Sequence, residues 1–563
     1  MPPTRFKAKR ITQACDFCHR RGLKCKPDVT ANPITAQPLH CLTCVEYGQE
    51  CTRERQPKKR GTKPRGTRAT ATAISESDRP SGQRLQTQQP ALASIAGRPS
   101  SALANRRMMT LLLDVYLDSI HPNFPLFCER ELWVGWRDGT FPQDDSDFMS
   151  LMCLCALSSQ HAGDGALFNN NDDVDASEFK NLREEYIAEA TRIVRLDFEN
   201  PDLDLVRSYT LLALLGAQTG DNSMLHQFLG LCHGVCAQLN LHDESRWPDT
   251  LSTCEIEVRR RLWWSIYRLE VHTACVLGNI IRTPENRCAV GYPAGAHHLA
   301  FIPGRNGKYE DWFNGWNTTT DLYRVLEHAV SDLRGKNRPP QFQSILGKGP
   351  SAESSTVMAR LAHIQERLLP QFVTPASRSE DSGQNRCGFQ APNIICTIHL
   401  ARLLSCMAGD DDPLLACSVA GDLVTSIIAI PIEYIRATGS PLIQQLAGVG
   451  HILVGIARKH PLQEVHFAQT KHVLLSIIGL LELFAGQSGI AGSIRERLSK
   501  LLVEVEELYA ATPRPDTADE TPGLDDALGW VPDEALAENI LHGQGLFLND
   551  LLTDFTWLYP TYP

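Results

Sequence analysis

Residues 515–563 contain no lysine and no arginine, against ten aspartates and glutamates. A segment of that charge repels polyanions, so nucleic-acid contact is excluded from the C-terminal end. Long apolar runs are scarce too. The most apolar stretch, 473–481, is interrupted by Ser476 and Gly479 and stops at Glu482, which is too short to span a bilayer. The basic start, MPPTRFKAKR, is followed by cysteines and not by an apolar run, so no secretory signal and no membrane partner are expected. Strand-like alternation is nearly absent. GKG at 347–349 lacks the strand, spacing and Ser/Thr of a phosphate loop, and no Ser–His–Asp or Cys–His arrangement can be argued, so the chain is expected not to be an enzyme.

What the acidic end lacks, the other end holds. Residues 1–68 carry 16 Lys/Arg and 5 Asp/Glu inside a chain of 563 residues whose net charge is −10. A basic head attracts polyanions. Eighteen cysteines without an export signal imply reduced thiols serving a metal or a core, not a disulfide framework.

Six of these cysteines form a pattern. CDFCHRRGLKC, 15–25, and CLTCVEYGQEC, 41–51, share the spacing C-x2-C-x6-C. Structural zinc takes four ligands and favours thiolate, and C-x2-C places two sulfurs on one ion. Six thiolates cannot fill two separate tetrahedra, but two ions that share two bridging thiolates need only six. Cys15, Cys18, Cys25, Cys41, Cys44 and Cys51 are therefore expected to hold two zinc ions.

Residues 14–51, opening on Ala14, Cys15 and Asp16, resemble the fungal binuclear zinc cluster DNA-binding domain. That resemblance implies bridging by the first and fourth cysteines, Cys15 and Cys41. It also implies that the C-terminal end of a short first-half helix enters the major groove of double-stranded DNA, commonly at a CGG-type triplet. His19, Arg20, Arg21, Gly22 and Lys24 occupy the DNA-touching stretch, with Lys26 just beyond. Arg and Lys suit phosphate contacts and guanine edges. The sequence departs from the family pattern at His19, where Arg is usual, at Gly22, where Lys or Arg is usual, and in a long loop, 26–40. These departures bear on the base triplet and not on the metal.

RERQPKKRGTKPRGTR, 53–68, follows directly; Arg53, Arg55, Lys58, Lys59 and Arg60 are expected to track phosphates or to serve nuclear localisation. Residues 70–105 are rich in Ser, Thr, Gln, Ala, Pro and Gly and show no heptad pattern. A homodimer would therefore have to form without a coiled coil there.

From Arg106 the texture becomes helical, with runs expected near 108–120, 146–162, 176–196, 203–218, 224–240, 254–278, 318–335, 354–370, 391–408, 413–435, 441–458, 463–486 and 492–511. The segments LLLDVYLDSIHPNFPLF, FLGLCHGVCAQLNLHDESRW and EIEVRRRLWWSIYRLE resemble, in order, the motifs of the fungal-specific transcription factor regulatory domain, also called the middle homology region. LGNIIRTPE, 277–285, departs from the usual Gly-Arg-Pro ending. Cys153, Cys155, Cys232 and Cys236 are expected as core fillers, and arginines 259–261 as ion pairs or a structural corner.

The expected organisation is mainly α: a basic arm, 1–14; the zinc cluster, 15–51; a basic then low-complexity linker, 52–104; a helical regulatory domain, 105–512; and an acidic, aromatic tail, 513–563. Acid interleaved with Trp530, Phe547, Phe555 and Trp557 is the composition of an activation segment that a coactivator groove accepts as a helix. The whole reads as a nuclear, sequence-specific regulator of RNA polymerase II genes, an activator of one metabolic or biosynthetic pathway. Two alternatives stay open: a helical scaffold whose zinc head makes protein contacts, and a receptor whose middle domain binds a small-molecule inducer.

Overall fold

The structure is a computed structural model and describes residues 14–21, 23–26, 41–48, 51–52, 105–167, 176–193, 201–294, 309–336, 354–408, 412–459, 463–482 and 489–512. The chain divides into two units, 1–87 and 88–563. Every regular element among the described residues is helical, apart from an isolated bridge between Asp243 and Ala289.

The first unit holds two single-turn helices, α1 (Asp16–Arg20) and α2 (Leu42–Glu46), each preceded by a cysteine in extended conformation, Cys15 and Cys41. Neither is long enough to persist alone.

In the second unit, α3 (Arg106–Val115) is capped by Asn105, which accepts from Met108 N, and it widens into a looser turn, Tyr116–Ile120, before His121-Pro122 stops it. There follow α4 (Glu129–Asp138), α5 (Asp145–His161), α6 (Ala176–Ile193), α7 (Leu203–Thr219), α8 (Asn222–Gln238) and α9 (Thr253–Leu277). Asp144, Asp202 and Asp221 cap α5, α7 and α8, and Ser252 with Glu255 closes a capping box on α9. Then come α10 (Tyr309–Lys336), α11 (Ser354–Arg367), α12 (Ser382–Ala408), α13 (Pro413–Ile428), α14 (Ile432–Thr438), α15 (Ser440–Lys459), α16 (Glu464–Glu482) and α17 (Gly489–Ala511).

One apolar core takes residues from Met108 to Val505, so the helices from α10 onward complete the fold begun by those before it. At its centre α12 packs on α10, α13, α14 and α15. Close approach there depends on Gly388: a Cβ would lie 2.3 Å from the Tyr434 ring. Among the described residues, α12 and α15 are long and apolar enough to cross a membrane, yet nine-tenths of each apolar window is buried in this core.

The sequence reading missed α4, whose mixed sequence, ERELWVGWRD, lies straight after Pro125. The expected run 413–435 is two helices bent by 110°, because Pro431 starts a new one. The start of α12 lies nine residues before the expected 391. Its first turns carry Asn385, Arg386 and Gln390, which look like a loop in sequence but are buried with partners: Arg386 pairs with Glu129 at 2.6 Å, and Gln390 donates to Pro122 O at 2.7 Å.

Candidate metal and nucleic-acid site

The two half-units of the head interlock by the same contacts read in both directions. Asp16 N, next after Cys15, donates to Thr52 O, next after Cys51, at 2.9 Å. Leu42 N, next after Cys41, donates to Lys26 O, next after Cys25, at 3.0 Å. Each helix start is thus satisfied by the chain leaving the other half-unit. Two hydroxyls tighten the clasp: Thr52 Oγ1 donates to Asp16 Oδ2 at 3.0 Å and Thr43 Oγ1 to Lys24 O at 2.8 Å.

This arrangement brings six sulfurs together. Cys15, Cys18, Cys25 and Cys41 form one group of four, and Cys15, Cys41, Cys44 and Cys51 another, with the sulfurs in each group within 4.8 Å of one another. Cys15 and Cys41 belong to both, and their sulfurs lie 3.7 Å apart. Backbone N–H groups point at the cage: Cys44 N donates to Cys41 Sγ at 3.3 Å and Cys41 N to Cys51 Sγ at 3.4 Å. Burial pushes the Cys18 thiol up to about 12, and hydrogen bonds to Cys15 and Cys41 add to it. For Cys15 burial acts upward, but hydrogen bonds from the Cys18 backbone and from the Cys18, Cys44 and Cys41 side chains outweigh it and hold the thiol at about 6. Among the described residues, little apolar matter apart from Phe17, Leu23 and Ala14 surrounds the sulfurs. A donor set of clustered thiols with no core of its own fits bound metal ions.

Around this cage the two half-units present different surfaces. The first exposes His19, Arg20, Arg21, Lys24 and Lys26. The second exposes Leu42, Val45, Glu46 and Tyr47, with Val45 at 63% and Tyr47 at 58%. Lys26 makes an exposed ion pair with Glu46 at 3.6 Å, which turns it toward the second half-unit. Gly22, Arg53, Arg55, Lys58, Lys59 and Arg60, and the tail 513–563, lie outside the described residues.

In the body the cysteines expected as core fillers are buried: Cys153, Cys155 and Cys232 are fully enclosed and Cys236 nearly so. The 259–261 run is absorbed into structure. Arg260 pairs with Glu244 at 2.7 Å and with Glu257 at 3.0 Å, while buried Arg261 donates to the carbonyls of Glu257 and Phe127. His297, His298 and GKG 347–349 lie outside the described residues. The unusual 277–285 segment has its own lock: Gly278, at φ 70°, ends α9, and Glu270 then accepts from Arg282 N at 2.7 Å and Thr283 N at 3.1 Å. One cluster escaped the sequence reading. Cys128, Glu131 and Cys254 lie within 4.8 Å of one another, at a separation along the chain that no local spacing reveals.

Comparison with known proteins places the chain beside a family and a curated relative. The fungal specific transcription factor domain matches residues 113–306, from α3 to beyond α9. The maltose fermentation regulatory protein MAL33 of Saccharomyces cerevisiae is 22% identical over 290 residues, covering 49% of this chain and 54% of that protein. The match thus spans about half of that relative.

Proposed function

Taking the chain as a member of the fungal transcription regulators that join a six-cysteine head to a fungal specific transcription factor domain, we propose that it is a zinc-dependent, sequence-specific DNA-binding regulator of RNA polymerase II genes, acting in the nucleus as an activator of one metabolic or biosynthetic pathway. The observation that carries this reading is the pair of four-sulfur groups sharing Cys15 and Cys41, with exposed arginines on one half-unit only.

In this reading Cys15, Cys18, Cys25, Cys41, Cys44 and Cys51 hold two zinc ions, which when bound supply the bonds and positive charge that the cage needs. The chain's own residues do the rest. The clasp between Asp16 and Thr52 and between Leu42 and Lys26 fixes the angle between the half-units. Helix α1 and the segment that leaves it then present Arg20, Arg21 and Lys24 to the major groove, where they meet phosphates and guanine edges, while His19 and Gly22 shape the base choice. The basic residues Arg53, Arg55, Lys58, Lys59 and Arg60 add phosphate contacts, and the acidic tail recruits a coactivator. Likeness to a protein named for regulating maltose fermentation supports a metabolic pathway as the target.

A second reading, a scaffold whose head makes protein contacts, is favoured by the exposed Val45 and Tyr47. The test that separates them is selection of bound sequences from random duplex DNA by the zinc-loaded full chain, with and without chelator. An enriched triplet that vanishes with chelator is expected, and the number of triplets enriched reports one or two half-sites. No enrichment by a chain that verifiably carries two zinc ions selects the scaffold.

A further inference from the structure

Most arginines buried in the body have a stated partner. Arg386 pairs with Glu129, and Arg261 donates to two carbonyls; even the half-buried Arg334 donates to Asn279 O and Ala274 O. Arg268, on α9, differs. It is 2% exposed, and its Nε and Nη1 have no hydrogen-bond partner. Its neighbours are aromatic faces: the guanidinium carbon lies 5.2 Å from the Trp316 ring, 5.5 Å from Tyr323 and 5.8 Å from Phe124. Rings attract the cation but cannot replace the hydrogen bonds it loses on leaving water. A buried guanidinium without an acceptor is costly, and the fold retains it.

Arg268 lines a cavity of about 70 Å³. The walls come from the turn after α3, from α5, α7, α9, α10 and α12, and from the corner that joins α14 to α15. They are mainly apolar, with Phe124, Leu157, Leu214 and Leu442 among them, and they include no aspartate or glutamate. The two histidines in the wall do not compete for an anion, because burial holds both His161 and His272 down to about 4, hence neutral near pH 7. Two further polar atoms of the lining residues lack partners, Asn123 Oδ1 and His272 Nε2. At roughly 30 Å³ per water-sized group, the space takes about two such groups, or one acid of about three or four non-hydrogen atoms.

We infer that this cavity is an effector site for a small carboxylic acid, whose carboxylate pairs with Arg268 and whose short apolar body packs against Phe124, Leu157 and Leu214. A guanidinium matches a carboxylate in geometry as well as charge. The size limit excludes nucleotides and sugar phosphates, and the apolar walls disfavour inorganic anions. Because the walls belong to five helices, the turn after α3 and a helix corner, an occupant ties them together and stabilises the body. The inference deepens the proposed regulator by giving it a ligand class, but it stands on the body alone.

The test uses the full chain with acetate, a carboxylate whose four non-hydrogen atoms suit the space, against its neutral amide, acetamide, of equal size. Saturating acid is expected to raise the main melting transition by about 3 °C, and the amide to leave it unchanged. Arg268→Gln abolishes the shift and Arg268→Lys keeps part of it. Ligand-observed NMR on the unsubstituted chain gives the same comparison without relying on a variant's folding. Binding of neither compound, or equal binding of both, overturns the inference and leaves Arg268 satisfied by trapped water. Neither readout involves DNA, so failure here leaves the DNA-binding reading intact. Failure of DNA selection likewise leaves this site intact.

Discussion

Arginines stand in runs in both units, and the two units treat them in opposite ways. In the head, Arg20 and Arg21 end a five-residue helix and remain exposed. In the body, Arg260 is held by two glutamates and Arg261 is buried against backbone carbonyls. The reason lies in what holds each unit together. Six sulfurs and a reciprocal backbone clasp define the head, so its other side chains carry almost no structural duty and are free to face a partner. The body is defined by one apolar core, and the charged residues that enter it, Arg268 apart, are committed to a neighbour. Head charges therefore act on binding, and body charges act on stability.

The largest effect that would break this division is loss of metal. Chelation, or Cys15→Ser, which removes a sulfur common to both groups, is expected to abolish specific DNA binding while the main melting transition of the body stays in place. Melting of the body together with the head would contradict it. Next in size is the buried pair of Arg386 and Glu129: Arg386→Leu should destabilise the body by about 3–5 kcal/mol in urea, whereas leucine at both positions should recover much of that. DNA affinity, measured well below the melting temperature, should not change. A smaller loss, about 1 kcal/mol, is expected for Ser252→Ala, which removes the capping box of α9.

The smallest effect is one of pH. A hydrogen bond to Glu285 raises His328 above its ordinary 6.5, so the stability it contributes is complete below that value and is lost as pH rises through the raised one. The hydrogen bond from His328, with Arg324 adding to it, outweighs burial and lowers Glu285 from 4.5 to about 2; that contribution is present above 4.5 and is lost as pH falls toward 2. Thermal melts of wild type and His328→Gln should therefore differ most between pH 4.5 and 6.5 and converge at alkaline pH. A difference that grows above pH 8 would show that the contact is not the source.

Head and body also differ in how far their sequences disclose them. The thiol cage is local: two C-x2-C-x6-C units within one short segment name the donor set and the sharing that six sulfurs require. The clasp of Asp16 with Thr52 and of Leu42 with Lys26 carries no comparable signal, since backbone groups have no residue-specific mark. In the body the helical period locates most elements, because amphipathic faces and caps are also local. It fails where polar residues are buried, as at Asn385, Arg386 and Gln390 in α12, since their partners, Tyr434, Glu129 and Pro122, come from distant segments. Arg268 is the extreme case: in sequence it resembles any helix-surface arginine, and only the cavity it lines distinguishes it.

The central claim is that the first half-unit reads DNA and the second completes the cage. The most direct measurement is the affinity of two zinc-loaded full-length variants for the selected duplex, with metal content verified for each. Substituting Arg20, Arg21 and Lys24 by glutamine should weaken binding by about a hundredfold or more, at about 1–3 kcal/mol for each base-reading side chain removed, with two zinc ions retained. Substituting Val45 and Tyr47 by glutamine should change it by less than about threefold, since neither side chain supplies a phosphate or guanine contact. Equal losses in the two variants, or no loss in the first, would contradict the account.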